Sequence, residues 1–282
     1  MGGLGARRAP ALLVVLSGHA FTLIVLLAVC LSMRLAVPRW GPFLYASIGG
    51  LEGALALALF YRALATGAMG LTAALCGLLT ALVPVLFTMI HDGLPTRLVA
   101  AGLGMGLCAI WLITRTRNAE EGLTGGTVSQ GSRAAGSRTP LLMGALAGVG
   151  FGSQLILLKM AGAVSILWIM TYVRAAGVLG LAAVLMVVSL NRAGEELLKG
   201  SPNVLRSGFL GLGILAGSLD TLGNIFYMLA SRFGRLDVAA LVCSLYPGGT
   251  ILLAMIVLGE KPSRRQVAGI VLALAAVVLL SV

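Results

Sequence analysis

The chain has 282 residues, of which 59% are hydrophobic and only 10% are charged, and its mean hydropathy is +1.04. Soluble domains average roughly 45–50% apolar and about 25% charged residues, so this composition excludes a soluble enzyme and a disordered or collagen-like chain. The formal net charge of +11 comes from cations between hydrophobic runs, where they serve membrane orientation and anionic lipid headgroups rather than nucleic acid.

Long apolar runs predict an all-α integral membrane protein, because a spanning helix needs about 20 mostly apolar residues and a barrel strand would alternate instead. We predict about nine spanning helices on this criterion. In chain order they cover residues 10–33, 43–65, 68–90, 95–114, 140–160, 165–190, 206–231, 236–258 and 265–282. Because the first run is longer than the roughly 7–15 apolar residues of a signal peptide, we interpret it as a span.

A stretch rich in Gly, Ser and charged residues follows the fourth predicted helix and has the composition of a flexible linker. It divides the chain into two halves. We predict an N-terminal tail at 1–9, a first repeat of four helices at 10–114, the linker at 115–139 and a second repeat of five helices at 140–282.

The two halves share residues in the same order, which predicts an internal duplication. One constant shift relates three pairs, which are Cys76 and Cys243, Pro95 and Pro262, and Gly102 and Gly269. His19 of the first predicted helix falls where Arg174 falls in the sixth, so the helix that the first repeat lacks is its first. Repeats with an odd number of helices are inverted in the membrane, a plan of secondary transporters whose binding site lies near the bilayer midplane.

Three short motifs mark the last two predicted helices and the loop between them: Leu245-Tyr246-Pro247, Leu258-Gly259-Glu260 and Gly269-Ile270. This pattern resembles the EamA-type permeases of the drug/metabolite transporter superfamily. The resemblance implies a ten-helix bundle of two inverted five-helix repeats that carries amino acids, metabolites or drugs, often against a proton gradient. The chain departs from it in lacking the first helix, which leaves four plus five, and in having Gly93 at the position that matches Glu260.

Charge and resemblance disagree on the orientation in the membrane. Most of the 20 Lys and Arg residues fall on the side that carries the N terminus and the linker. The positive-inside rule then predicts that side in the cytoplasm and the C terminus outside, whereas the resemblance implies a cytoplasmic C terminus. We adopt the orientation given by the charges.

Two acidic residues lie near the middle of predicted spans, where an ionisable group is costly and tends to face the protein interior or water. Glu52 lies in the second predicted helix and Asp220 in the corresponding helix of the second repeat. Coupling requires a carboxylate that binds a proton or substrate in one state and releases it in the other, so we predict that role for both. The alternative is that each neutralises a buried cation.

Arg174 is the candidate cation, because its planar guanidinium suits a carboxylate or phosphate and stays protonated. As a binding group it would favour anionic or zwitterionic substrates, and as a structural group it would neutralise Asp220 or Glu52. His19 could titrate near neutral pH, although a lone His in an apolar helix is more often a packing residue.

Helical spacing places further polar and aromatic groups on shared faces. We predict that Trp168, Tyr172, Asn224 and Tyr227 line a central polar cavity together with Arg174. Glycines also recur at helical spacing, and we interpret them as sites of close helix packing, with sliding during transport as the alternative. They are Gly144, Gly148 and Gly152, and Gly213 and Gly217.

No catalytic or ATP-binding motif is present, and the four cysteines and two histidines have no metal-ligand spacing. We predict a secondary transporter rather than an enzyme: a multi-pass permease of the inner cell membrane that moves a small metabolite, amino acid or drug-like solute by alternating access. It would need no cofactor. Its expected partners are the substrate, protons and membrane lipids, without nucleic acid, and a homodimer is left open. The alternatives are a truncated, non-transporting membrane protein and a membrane-embedded enzyme acting on lipid-linked substrates.

Overall fold

A computed structural model describes residues 10–38, 40–66, 69–123, 138–162, 165–190, 208–233, 238–239, 242–243 and 264–281. Regular secondary structure in these ranges is helical throughout, which confirms the predicted all-α class. The long helices are α1 (Ala11–Ser32), α2 (Trp40–Thr66), α3 (Met69–His91), α4 (Arg97–Leu123), α5 (Arg138–Met160), α6 (Ile166–Leu190), α7 (Phe209–Phe233) and α8 (Arg264–Ser281).

Each of these helices coincides with a predicted span, because the length of the apolar run fixes where a spanning helix can lie. The largest difference is at the end of α4, which continues to Leu123 and so includes the first part of the predicted linker. That extension contains two Arg, two Glu and one Ala, which are good helix formers. The predicted span at 236–258 and the motifs between Leu245 and Glu260 lie almost wholly outside the described residues.

Several helices have the length and composition of membrane spans. Among the residues that the structure describes, five helical segments are long and apolar enough to cross a bilayer: Ala11–Ser32, Trp40–Leu64, Thr139–Met160, Ile166–Leu190 and Leu210–Phe233. Shorter apolar segments lie in α3 and α4, at Leu75–His91 and Arg97–Ala109. The protein is therefore an all-α membrane protein with several spans.

The chain forms two compact units. Unit 1 comprises Met1–Ala65 and Ser153–Phe233, so its described helices are α1, α2, α6, α7 and the end of α5. Unit 2 comprises Thr66–Gly152 and Gly234–Val282, with α3, α4, α8 and the start of α5. Because each unit combines helices from both halves of the sequence, the repeat boundaries at 114 and 140 stay a prediction.

Two close helix crossings organise unit 1. Where α1 meets α7, a Cβ atom on Gly18 would lie 2.5 Å from the carbonyl oxygen of Gly213 and 3.0 Å from the Cα of Gly217. Where α2 meets α6, a Cβ atom on Gly50 would collide with the backbone of Val173. Only glycine lets the two backbones approach this closely, and the close packing predicted for Gly213 and Gly217 is confirmed.

The two crossings lie at nearby positions under the predicted duplication. The offset between the first and sixth predicted helices carries Gly18 onto Val173, and the shift that pairs Phe60 with Phe226 carries Gly50 onto Ala216, the neighbour of Gly217. The internal duplication stays a prediction.

Unit 2 contains the other predicted glycine row, which packs α5 against α3. A Cβ atom on Gly148 would lie 2.6 Å from the carbonyl oxygen of Cys76. The hydroxyl of Thr80 donates to that same Cys76 carbonyl at 2.8 Å and to the Gly148 carbonyl at 3.4 Å. The α3–α4 contact is apolar, with Ala81, Val85 and Leu103 buried in it. These contacts favour a packing role for this face.

Candidate functional site

The guanidinium of Arg174 is the centre of a polar cluster in unit 1. Arg174 is the largest fully buried side chain among the described residues. Its Nη2 donates to Asp220 Oδ2 at 2.7 Å, and its Nη1 lies 2.9 Å from His19 Nε2. Helices α1, α6 and α7 each supply one member, and we call these three residues the Arg174 cluster.

The hydrogen bonds of His19 select one tautomer. Its Nδ1 lies 3.1 Å from the carbonyl oxygen of Val15, which can only accept. Nδ1 must therefore carry the proton, and Nε2 is left with a lone pair that accepts from Arg174, which can only donate. Both bonds are satisfied together by the neutral Nδ1–H imidazole, so His19 orients Arg174 without adding charge.

Small residues make room for this cluster. A Cβ atom on Gly177 would lie 2.7 Å from the imidazole carbon Cδ2 of His19 and 3.1 Å from the Cβ of Ala54. The Gly18–Gly217 crossing brings α1 and α7 together one turn or less from His19 and Asp220. Glycine positions on three helices thus allow two polar side chains to reach Arg174.

The two residues of the ion pair differ in exposure. The side chain of Arg174 is 1% exposed, whereas that of Asp220 is 31% exposed. The narrow space beside His19, bounded by Gly18, Tyr61 and Gly217, is too small for a water molecule. Asp220 is consequently the more exposed member of the pair, and Arg174 is buried behind it.

Arg174 is not fully satisfied by these partners. Its Nε is buried and has no hydrogen-bond partner among the described residues. A guanidinium has five N–H donors in a fixed planar arrangement, and burying such a donor unpaired costs free energy. The Arg174 cluster therefore contains a buried cation whose Nε–H donor has no acceptor among the described residues.

The hydrogen-bond partner of Glu52 lies outside the Arg174 cluster. Its Oε1 accepts a hydrogen bond from the hydroxyl of Ser153 on α5, at 2.5 Å. The next residue, Gly53, packs against the side chain of Gln154. Of the two acids proposed as partners of Arg174, the structure pairs it with Asp220.

The other two predicted residues of α7 have structural hydrogen bonds. The amide Nδ2 of Asn224 donates to the backbone carbonyl of Asp220 at 2.9 Å and so does not contact its carboxylate. The hydroxyl of Tyr227 donates to the carbonyl of Leu155 at 2.8 Å, and Tyr227 is buried. Helical spacing placed these residues on one face, yet their polar atoms are directed to different backbone groups.

Trp168 and Tyr172 belong to an aromatic cluster at the α1–α2 loop. The indole Nε1 of Trp168 donates to the Leu35 carbonyl at 3.0 Å. Tyr172 lies 5.8 Å from the ring of Trp168 and packs edge-on against Phe43 at 5.1 Å. A cavity of about 410 Å³ opens here, lined by Val37, Pro38, Trp40, Phe43 and Tyr172. Its lining is apolar and aromatic, and the central polar cavity stays a prediction.

Metal binding has no support in the described part of the chain. No group of three or more His, Cys, Asp or Glu side chains there is placed to hold a metal ion.

Comparison with known proteins identifies the family. The family model described as the EamA-like transporter family matches residues 138–282, just over half of the chain. The chain belongs to the EamA-like transporter family.

Among solved structures, one titled "Crystal structure of protein" has a TM-score of 0.66 at 17% sequence identity, covering 98% of this chain and 89% of that one. This likeness shows that the two share a fold. No curated protein matches the chain. As a member of this family, the protein is a membrane transporter of small solutes.

Sequence reasoning missed several residues of this EamA-like transporter that the structure places beside the predicted ones. Ser153 bonds Glu52, Tyr61 borders the space next to His19, and Trp40 and Phe43 complete the aromatic cavity. Trp40 and Phe43 are three apart in the sequence and share a helix face, a signal that was available. The partners of Glu52 and His19 come from distant helices, and no local pattern encodes them.

Replacing Trp168 with phenylalanine keeps an aromatic ring but removes the donor to the Leu35 carbonyl. We expect this EamA-like transporter to lose about 1 kcal/mol of stability, the usual net value of one hydrogen bond. Thermal unfolding of the purified protein in detergent measures the change. Trp40→Phe is the matched control because Trp40 is 83% exposed, and its midpoint should not move. Equal midpoints for the two variants would remove the structural role of the Trp168 bond.

Proposed function

We propose that this EamA-like transporter moves a small polar or amphipathic solute across the inner cell membrane by alternating access, driven by a proton gradient. The Arg174–Asp220 ion pair is the observation that carries the proposal. Insertion scales put the cost of Asp or Arg at the centre of a spanning helix at about 2.5–3.5 kcal/mol. Both residues lie in helices with the length and composition of membrane spans, so a function that needs them accounts for their presence.

Asp220 has the properties of a coupling group. A coupling carboxylate must be reached by protons from water, and it must have a partner that changes when it is protonated. The side chain of Asp220 is 31% exposed, and its partner Arg174 is 1% exposed. Protonation of Asp220 would remove the charge that compensates Arg174, so the cluster would differ between the two protonation states in a way that can drive a conformational change.

Glu52 is the second coupling candidate. It lies in the first repeat near the position that corresponds to Asp220, and its carboxylate accepts from Ser153 rather than from a cation. A carboxylate with a neutral partner can gain a proton without leaving a cation unpaired. We assign the larger role to Asp220 for this reason, with Glu52 adding to the pH dependence.

Proteoliposomes that contain a pH-sensitive dye test the coupling. Amino acids and amphipathic drugs are added in turn, and a substrate is recognised because its uptake moves protons. We expect Asp220→Asn to reduce proton movement at least tenfold and Glu52→Gln to reduce it less. The matched control Asp92→Asn changes an exposed carboxylate after α3 and should leave transport intact. Unchanged proton movement in both Asp220→Asn and Glu52→Gln would contradict proton coupling through these carboxylates.

The orientation given by the charges belongs to the same proposal. With the N terminus in the cytoplasm, an odd number of spans places the C terminus outside. A reporter that is active only in the cytoplasm, fused after Val282, should then be inactive, and the same reporter at the N terminus should be active. An active reporter at Val282 would reverse the orientation.

A further inference from the structure

The edge of the Arg174 guanidinium that faces Asp220 has two donor nitrogens, and only one of them donates to Asp220. Nε and Nη2 form one side of the planar group, and a carboxylate can bind both in a bidentate pair. Asp220 contacts Nη2 through Oδ2. The neighbouring Nε has no partner among the described residues, so the pair resembles an arrangement that a second, better aligned carboxylate would complete.

The charge balance around this edge depends on one group. Among the described residues, the titratable side chains that interact electrostatically with Asp220 are His19 from α1, Tyr61 from α2 and Arg174 from α6. His19 is the neutral tautomer fixed by its two hydrogen bonds, and Tyr61 carries no charge near neutral pH. Asp220 is thus the one described anion that compensates the guanidinium.

Protonating Asp220 would therefore leave a buried cation without a counter-charge, which is strongly unfavourable unless another anion replaces it. An incoming carboxylate could occupy both Nε and Nη2 and restore neutrality. Binding of the proton and binding of the anion would then strengthen each other by the same factor, because linkage between two sites is reciprocal.

We propose that Arg174 binds the carboxylate of the transported solute, which replaces Asp220 on the Nε–Nη2 edge as Asp220 takes up one proton. This assignment of a substrate class rests on the proposed function above. It gives each group a separate role. Arg174 recognises the anion, Asp220 carries the proton, and His19 holds the guanidinium through Nη1 while the exchange takes place.

Binding of benzoate to the full chain in nanodiscs tests this assignment between pH 5.5 and 8, where benzoate is ionised. Benzamide is the neutral control and phenyl phosphate the alternative anion. We expect benzoate to bind and benzamide not to bind. Benzoate affinity should fall as the pH rises, because binding of the anion and binding of one proton strengthen each other. Absence of benzoate binding, or preference for phenyl phosphate, would overturn the carboxylate assignment.

The variants separate the two roles. Asp220→Asn should bind benzoate without pH dependence, because a neutral side chain already frees the guanidinium. Arg174→Lys should bind at least tenfold more weakly, because an ammonium lacks the bidentate edge. The double variant R174Q/D220N has no buried charge in the cluster to destabilise the fold, and it should not bind benzoate.

Benzoate binding by that double variant, or the same pH dependence in Asp220→Asn as in the wild type, would overturn the inference. The test is separate from that of the proposed function. If Asp220→Asn abolishes proton movement while the Arg174 variants bind benzoate as tightly as the wild type does, proton coupling stands and the carboxylate assignment fails. If benzoate binding follows Arg174 while proton movement survives Asp220→Asn and Glu52→Gln, the proposed coupling fails instead.

Discussion

Replacing Arg174 with glutamine is expected to destabilise the protein more than any other single change in the cluster. The carboxylate of Asp220 would lose its counter-charge, and Nε2 of His19 would lose its donor. Removing one partner of a buried ion pair costs about 3–5 kcal/mol, and we expect the lower end of that range because Asp220 is 31% exposed. Thermal unfolding in detergent, followed by circular dichroism or by aggregation, measures the loss.

Two further variants make this prediction specific. Arg97→Gln removes an exposed cation at the start of α4 and should leave the unfolding midpoint unchanged. The double variant R174Q/D220N removes both charges, so it should recover part of the stability that the single variant loses, as expected for residues that interact directly. A double variant less stable than Arg174→Gln would mean that the ion pair is not the source of the loss.

Replacing Gly217 with alanine is expected to force α1 and α7 apart. The added Cβ atom would lie 2.5 Å from the Cα of Gly18 and 2.8 Å from its carbonyl oxygen. These are backbone atoms, which cannot turn aside as a side chain does, so the helices must separate. Overpacking of a close interface costs about 1–3 kcal/mol. The separation should also lengthen the contact between His19 and Arg174, so proton movement should fall together with the thermal midpoint.

Gly223 on the same helix provides the matched control. No described atom lies within 4 Å of a Cβ atom added there. Gly223→Ala should therefore be neutral or slightly stabilising, since alanine favours helix over glycine by roughly 1 kcal/mol. If the two alanine variants unfold at the same temperature, the α1–α7 crossing is looser than the structure indicates.

The sequence was sufficient for most of the fold, because a bilayer imposes a minimum length on each apolar run. The helices from α1 to α3 and from α5 to α8 lie where the runs predicted them. The end of α4 was missed, since beyond residue 114 the sequence becomes polar while its helix-forming residues continue. Hydropathy predicts which part of a helix can lie in the bilayer, whereas helix propensity influences how far the helix continues into water.

The sequence was sufficient to predict which residues form the candidate site but not which of their side chains contact each other. Burial cost alone singled out Arg174, Asp220 and Glu52, because charges are expensive among apolar residues. Which acid meets the arginine depends on how α2, α5, α6 and α7 pack, and periodicity within one helix carries no information about that. For the same reason, Asn224 and Tyr227 share a face with Asp220, yet their polar atoms bond to backbone carbonyls instead.

The contact between His19 and Arg174 joins two positions that the duplication makes equivalent. Points related by a two-fold rotation are separated by twice their distance from the axis, so equivalent side chains can touch only beside it. The 2.9 Å hydrogen bond therefore marks where the pseudo-two-fold axis of the repeats would pass through unit 1. A neutral acceptor opposite a cation then makes the two predicted repeats differ in charge at the point where these two equivalent positions meet.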